Sequence, residues 1–153
     1  MEREFKYYRD SFAQLPLKVH HMDLDFDVYE DHVDANVALY VTPLQPLTQL
    51  DLNAHDLTIH EVTCDEHKVT FNYKKEDRIL QVLFDTPIPA DQKIIIRTKS
   101  TCIPTSNILE GVYFDETPKN CQCTMITQWQ QWGFQRIVPC IDDMSAKCTY
   151  TTT

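Results

Sequence analysis

An all-β fold, an antiparallel sandwich or saddle with little helix, is what this sequence of 153 residues predicts. Three observations carry that expectation. Apolar and polar residues alternate with period two from about residue 16 onward, which is the pattern of half-buried strands. Runs of this kind recur every ~8–12 residues with turn signals between them. Helical periodicity is weak outside the first dozen residues and a single turn near Gln130–Phe134.

The elements follow in order. In LKVHHMDLDFDVYE, the apolar Met22, Leu24, Phe26 and Val28 alternate with Asp23, Asp25 and Asp27. In HVDANVALYVT the pattern repeats through Val33, Ala35, Val37, Leu39 and Val41. The short EDH between them predicts a hairpin. Pro43 and Pro46 then interrupt pairing, because proline lacks the ladder donor. LDLNA, LTIHEVTC, KVTFNYK and RILQVLFD read as further strands, the middle two joined by DEH. TPIPAD reads as a proline-marked loop ahead of QKIIIRTKSTCI. There the consecutive Ile94, Ile95 and Ile96 suggest burial on both faces. With glycine only at 111 and 133, Asn or Asp must occupy some left-handed turns.

Composition narrows the function classes. Hydrophobic content of 42% and charged content of 24% suit a globular domain with its own core. A net charge of −9 would repel a phosphate backbone, so no nucleic-acid partner is expected. No apolar run approaches the ~20 residues of a membrane helix, so no membrane partner is expected. The charged first ten residues lack a signal-peptide core, and the chain reads as cytoplasmic. The six cysteines (64, 102, 121, 123, 140 and 148) then read as free thiols.

Most chemistry-bearing residue types take an ordinary structural reading. His20 and His21 are adjacent on a strand and should face opposite ways. His55 and His60 have no recognised ligand spacing. HEVTC, His60 to Cys64, lacks the second histidine and the helix of a zincin motif. Cys121 and Cys123 would share a strand face, but zinc wants four ligands and no second pair sits at matching spacing. The acidic runs lack the glycine-bearing calcium loop. There is no phosphate loop and no Gly-x-Ser-x-Gly elbow. The expected catalytic and metal residues of this chain are therefore none. The segment Thr127-Gln128-Trp129-Gln130 reads as a strand end with Gln128 and Gln130 on one face. Two parallel amides can donate and accept together, suiting a peptide backbone or an amine. They can equally hydrogen-bond to neighbouring loops.

SNILEGVYFDE (106–116) resembles the N-x-x-L-x-G-L-Y segment of the aminopeptidase N family of zinc metallopeptidases. Thr127, Gln128, Gln130, Gly133, Phe134, Arg136, Pro139, Cys140 and Asp142 resemble that family's following segment, and Leu50 to Glu66 an earlier one. Three segments in family order cover most of the chain. The resemblance implies an N-terminal β domain, 1–153, truncated at its C-terminal end, with the catalytic domain of the same polypeptide as its partner. Zinc, with ligands outside this chain, would polarise the scissile carbonyl and activate water while a Glu acts as general base. Gln128 would line the pocket for the first substrate side chain. Gln130 would help hold the free N-terminus of a peptide. The isolated chain is then expected to be inactive, and its exposed docking face to favour self-association. Two positions depart from the family pattern. Asp142-Asp143-Met144 lacks the usual proline, and Trp129 stands where Cys or Met is common. The alternatives are a stand-alone noncatalytic β-sandwich binding or scaffolding module, and a family member that has lost its metal site.

Overall fold

The computed structural model describes residues 14–130 and 132–153. The described residues form ten strands and one short 3-10 turn. Strands β1 (Leu17–Val28), β2 (Val33–Pro43), β4 (Thr58–Cys64), β7 (Ile94–Cys102) and β10 (Thr149–Thr152) make a five-stranded sheet in the order β10-β1-β2-β7-β4. Strands β3 (Leu47–Asn53), β5 (Val69–Lys74) and β6 (Ile79–Ile88) make a three-stranded sheet in the order β3-β6-β5. Strands β8 (Gly111–Phe114) and β9 (Met125–Gln128) form a small two-stranded hairpin, to which Thr105 adds a parallel bridge at Tyr113. The fold is all-β and mostly antiparallel, as the alternation predicts.

The alternation decides the layering. Met22 and Leu24 on β1, Val37, Leu39 and Val41 on β2, and Ile94 and Ile96 on β7 all turn to one side of the larger sheet and are buried. Leu50 and Leu52 on β3 and Leu80, Val82 and Ile88 on β6 belong to the same buried cluster, which is continuous between the two sheets. Each such side chain contributes about 1.5–3 kcal/mol when removed from water. Two hydroxyls, Thr98 Oγ1 and Ser100 Oγ, lie in this core without a hydrogen-bond partner.

Several details differ from the sequence reading. The β1–β2 hairpin forms, with Val28 opposite Val33. β4 and β5, only four residues apart, enter different sheets: β4 pairs with β7 and β5 with β6. β6 runs on through Thr86 and Pro87 to Ile88, where a loop was expected. The register breaks there: Leu47 faces Ile88 while Gln49 faces Leu83, and this irregularity accommodates the proline. Of the three isoleucines, Ile94 and Ile96 are buried but Ile95 is only half-buried, so β7 has one buried face there. A bulge at His20 breaks the β1–β2 register between Val19 and His21. Both histidines consequently line one cavity on the larger sheet, contrary to the two-sided expectation. Positive φ occurs at Asp56, Asp91 and Asn120, as glycine scarcity required, and also at Glu66 and Arg78.

Candidate functional site

The two candidate amides sit where the hairpin meets the 3-10 turn Phe134–Arg136. β9 ends at Gln128, which pairs with Gly111 of β8. Gln130 therefore lies in the turn beyond the strand, and strand alternation does not govern its direction. Both residues are exposed. Gln128 reaches forward locally: its Oε1 accepts the backbone N–H of Gln130 at 3.3 Å. That bond sets one amide against the backbone of the other. A carbonyl oxygen has a second lone pair, so Gln128 keeps acceptor capacity.

Alternation does govern the opposite face of β9. Met125, Thr127 and Trp129 line a cavity of about 260 Å³ together with Phe26, Val33 and Ile137. Trp129 stacks on Phe134 at a ring-centroid distance of 4.8 Å, so the tryptophan packs. Gln128, one residue out of phase, faces away from this apolar space.

Both glycines are required here by close approach. At Gly133 a Cβ would fall inside contact with the carbonyl of Gln128. Gly111 has φ +74, and a Cβ there would lie 2.7 Å from Arg136 Cβ. The turn is thus pressed against both hairpin strands at the level of Gln128. Arg136, its side chain only 15% exposed, reaches Glu110 Oε2 at 3.2 Å and Asp56 Oδ2 at 3.4 Å. His55 lies 3.3 Å from Asp56, but burial first, and the Arg136 and Arg78 charges next, lower its pKa. That lowering favours the neutral imidazole in this contact. Beyond the turn, Asn53 and Cys140 exchange backbone hydrogen bonds of 2.7 and 3.0 Å. Buried Gln135 donates to Asp142 Oδ2 at 3.3 Å. Burial raises the Asp142 pKa, against the lowering by its hydrogen bonds from Gln135.

The other candidates stay apart. His60 bonds to Thr101, and Cys121 and Cys123 precede β9 rather than sharing a strand face. Among the described residues no three His, Cys, Asp or Glu side chains come together in an arrangement able to hold a metal. The donor set of these residues therefore does not suit a zinc ion. None of the six thiols is in a disulfide. No described helix is long and apolar enough to cross a membrane. A cavity of about 780 Å³ on the larger sheet is lined by His20, His21, Asp23, Tyr40, His67 and neighbours. Several of its polar groups already serve one another: Tyr40 donates to Asp23 at 2.8 Å, His21 meets Asp23 at 2.9 Å, and Gln92 meets His67 at 3.0 Å. Sequence reasoning missed Arg136 as the centre of a carboxylate network, since neither Asp56 nor Glu110 stands at a telling spacing from it.

Residues 12–153 match the family model of the Peptidase M1 N-terminal domain, and the chain belongs to that family. It is 27% identical over 139 residues to leukotriene A-4 hydrolase of Xenopus laevis, covering 88% of this chain and 23% of that protein. Its fold is similar to that of an M1 zinc metallopeptidase from Deinococcus radiodurans, with TM-score 0.71 at 19% identity over 94% of this chain and 33% of that one. A mutant of that enzyme bound to a Tyr-Ser-Ala substrate gives the same TM-score, 0.71, at 19% identity over 90% of this chain and 32% of its own. The chain thus spans about a quarter of the hydrolase's length and a third of the bacterial enzyme's.

Proposed function

We propose that this chain is the substrate-pocket domain of a cytoplasmic zinc aminopeptidase, acting with a catalytic domain on the same polypeptide. The observation that carries this reading is the exposure of Gln128 at the end of β9, against Gly133, and of Gln130 in the turn beyond it, outside every cavity described above. Two outward amides on a braced turn form half of a cleft, and a second polypeptide surface completes it. Zinc, held by that other surface, would supply the Lewis acid for peptide hydrolysis.

Within this division of labour the chain binds and orients. Gln130 accepts from the free α-amino group or bonds the end of the peptide, and Gln128 lines the pocket for the first side chain. A neutral amide holds a cationic amine less strongly than a carboxylate, which adds a full opposite charge to the bond, so the catalytic domain must carry the main charge. Among the described residues no three zinc-ligating side chains come together, and the chain alone is expected to show no hydrolytic activity. Trp129 and Trp132, 37% and 59% exposed, belong to the docking face, and without the catalytic domain that face favours self-association.

The test is Gln130→Ala in the polypeptide extended through a His-Glu-x-x-His segment. KM for unblocked peptides should rise about tenfold, the loss of one hydrogen bond to a charged group. The melting temperature should stay within a degree or two. An unchanged KM with a lowered melting temperature would show that the amide serves only the fold.

A further inference from the structure

We infer that Arg136 is the positioning residue of the amide pair. This inference rests on the reading of Gln128 and Gln130 as substrate-facing groups. A two-stranded hairpin of four-residue strands is marginal on its own, so the direction of its end depends on what braces it. The brace on the Gln128 side is the backbone of Gly133, which touches the Gln128 carbonyl. Gly133 in turn opens the 3-10 turn that ends at Arg136. On the β8 side Thr105 holds the middle of the strand through a parallel bridge to Tyr113, and at its start the brace is Arg136, packed against Gly111, the cross-strand partner of Gln128.

The guanidinium fixes this stack to the rest of the domain. It bonds to Glu110, directly before β8, and to Asp56, in the β3–β4 connection. Three connections that are distant in sequence, near residues 56, 110 and 136, therefore meet at one planar cation. A guanidinium holds two partners at fixed angles, which a lysine cannot do. Without it, the turn can slide relative to Gly111, and Gly133 moves with it. The Gln128 carbonyl then loses its stop, and the bond from the Gln130 backbone N–H to Gln128 Oε1 no longer holds the Gln128 amide against the turn.

The experiment has two arms. In this chain, 15N relaxation compares the backbone and side-chain amides of Gln128 and Gln130 in Arg136→Met, Arg136→Lys and the pair Asp56→Asn with Glu110→Gln. The paired variant keeps Arg136 and removes only the charges it binds, which covers the case in which Arg136→Met fails to fold. Order parameters at both glutamines should fall by about 0.2 while those of β2 and β7 hold. In the extended polypeptide, the same variants should raise KM for unblocked peptides about tenfold and change kcat by less than about twofold. Arg136→Lys should recover part of the loss. Unchanged order at the glutamines, or an unchanged KM where Gln130→Ala raises it, would overturn the role of Arg136 and spare the substrate reading. An unchanged KM in Gln130→Ala would bring down the substrate reading, and this inference with it.

Discussion

Gly133 and Asp142 show how much one position settles. At Gly133 the backbone of Gln128 occupies the space a methyl group would need. Gly133→Ala should destabilise the chain by about 1–3 kcal/mol in urea unfolding, the cost of forcing an atom into a packed site. Asp142 works through charge. Burial raises its pKa in the folded state, so the native protein holds that proton more tightly than the unfolded chain. Stability from this group is then fully present at low pH and falls as pH rises from the unfolded value of 3.8 through the raised one. Asp142→Asn keeps an acceptor for Gln135 and removes the half-buried charge. Its melting temperature should exceed that of the unsubstituted chain at pH 7, and the difference should vanish near pH 3. A persistent difference at pH 3 would place the effect elsewhere.

At the scale of the element, β7 is the instructive strand. It sits between β2 and β4, and its inward face alternates cleanly through Ile94, Ile96, Thr98, Ser100 and Cys102. Two of those five are hydroxyl residues without partners. An unpaired buried hydroxyl costs about 1–3 kcal/mol, whereas an apolar isostere there costs nothing comparable. Thr98→Val should therefore raise stability by about 1 kcal/mol in denaturant unfolding, with the m-value unchanged. A loss of stability would mean that the hydroxyl has a partner after all. Strand identity was legible in the alternation of β1, β2 and β7. The reach of β6 through Pro87 was not, because a bulge makes room for a residue that the ladder otherwise rejects. The two-sided burial expected from Ile94-Ile95-Ile96 also failed, since the outer neighbours of Ile95 are polar groups around the 780 Å³ cavity.

The whole molecule sorts its six thiols by depth. Cys64 and Cys102 are buried, and desolvation pushes each pKa up to about 11. Cys140 is buried more deeply, and its pKa too is raised, mainly by desolvation. Cys121 and Cys123 are exposed, and Cys148 is intermediate. The thiolate is the reactive form, so Cys121 and Cys123 should alkylate first at pH 8. Cys148 should follow slowly, and the other three only in denaturant, as peptide mass mapping would show. Early modification of Cys140 would mean that the segment bonded to Asn53 opens readily.

The amino-acid sequence by itself determined the strand class, most strand positions and the segment that carries Gln128 and Gln130. Those follow from local information: alternation every two residues, proline and turn chemistry, and the family-like Thr-Gln-x-Gln run. Only the tertiary structure decided that β4 and β5 part into different sheets and that a bulge turns His20 and His21 onto one cavity. It also decided that Gln130 leaves the strand, and that Arg136 gathers Asp56 and Glu110. The last depends on contacts between residues 26 and 80 positions apart, and its geometry is set by how the connections pack. No spacing along the chain encodes such contacts, because the packed core alone brings those connections together.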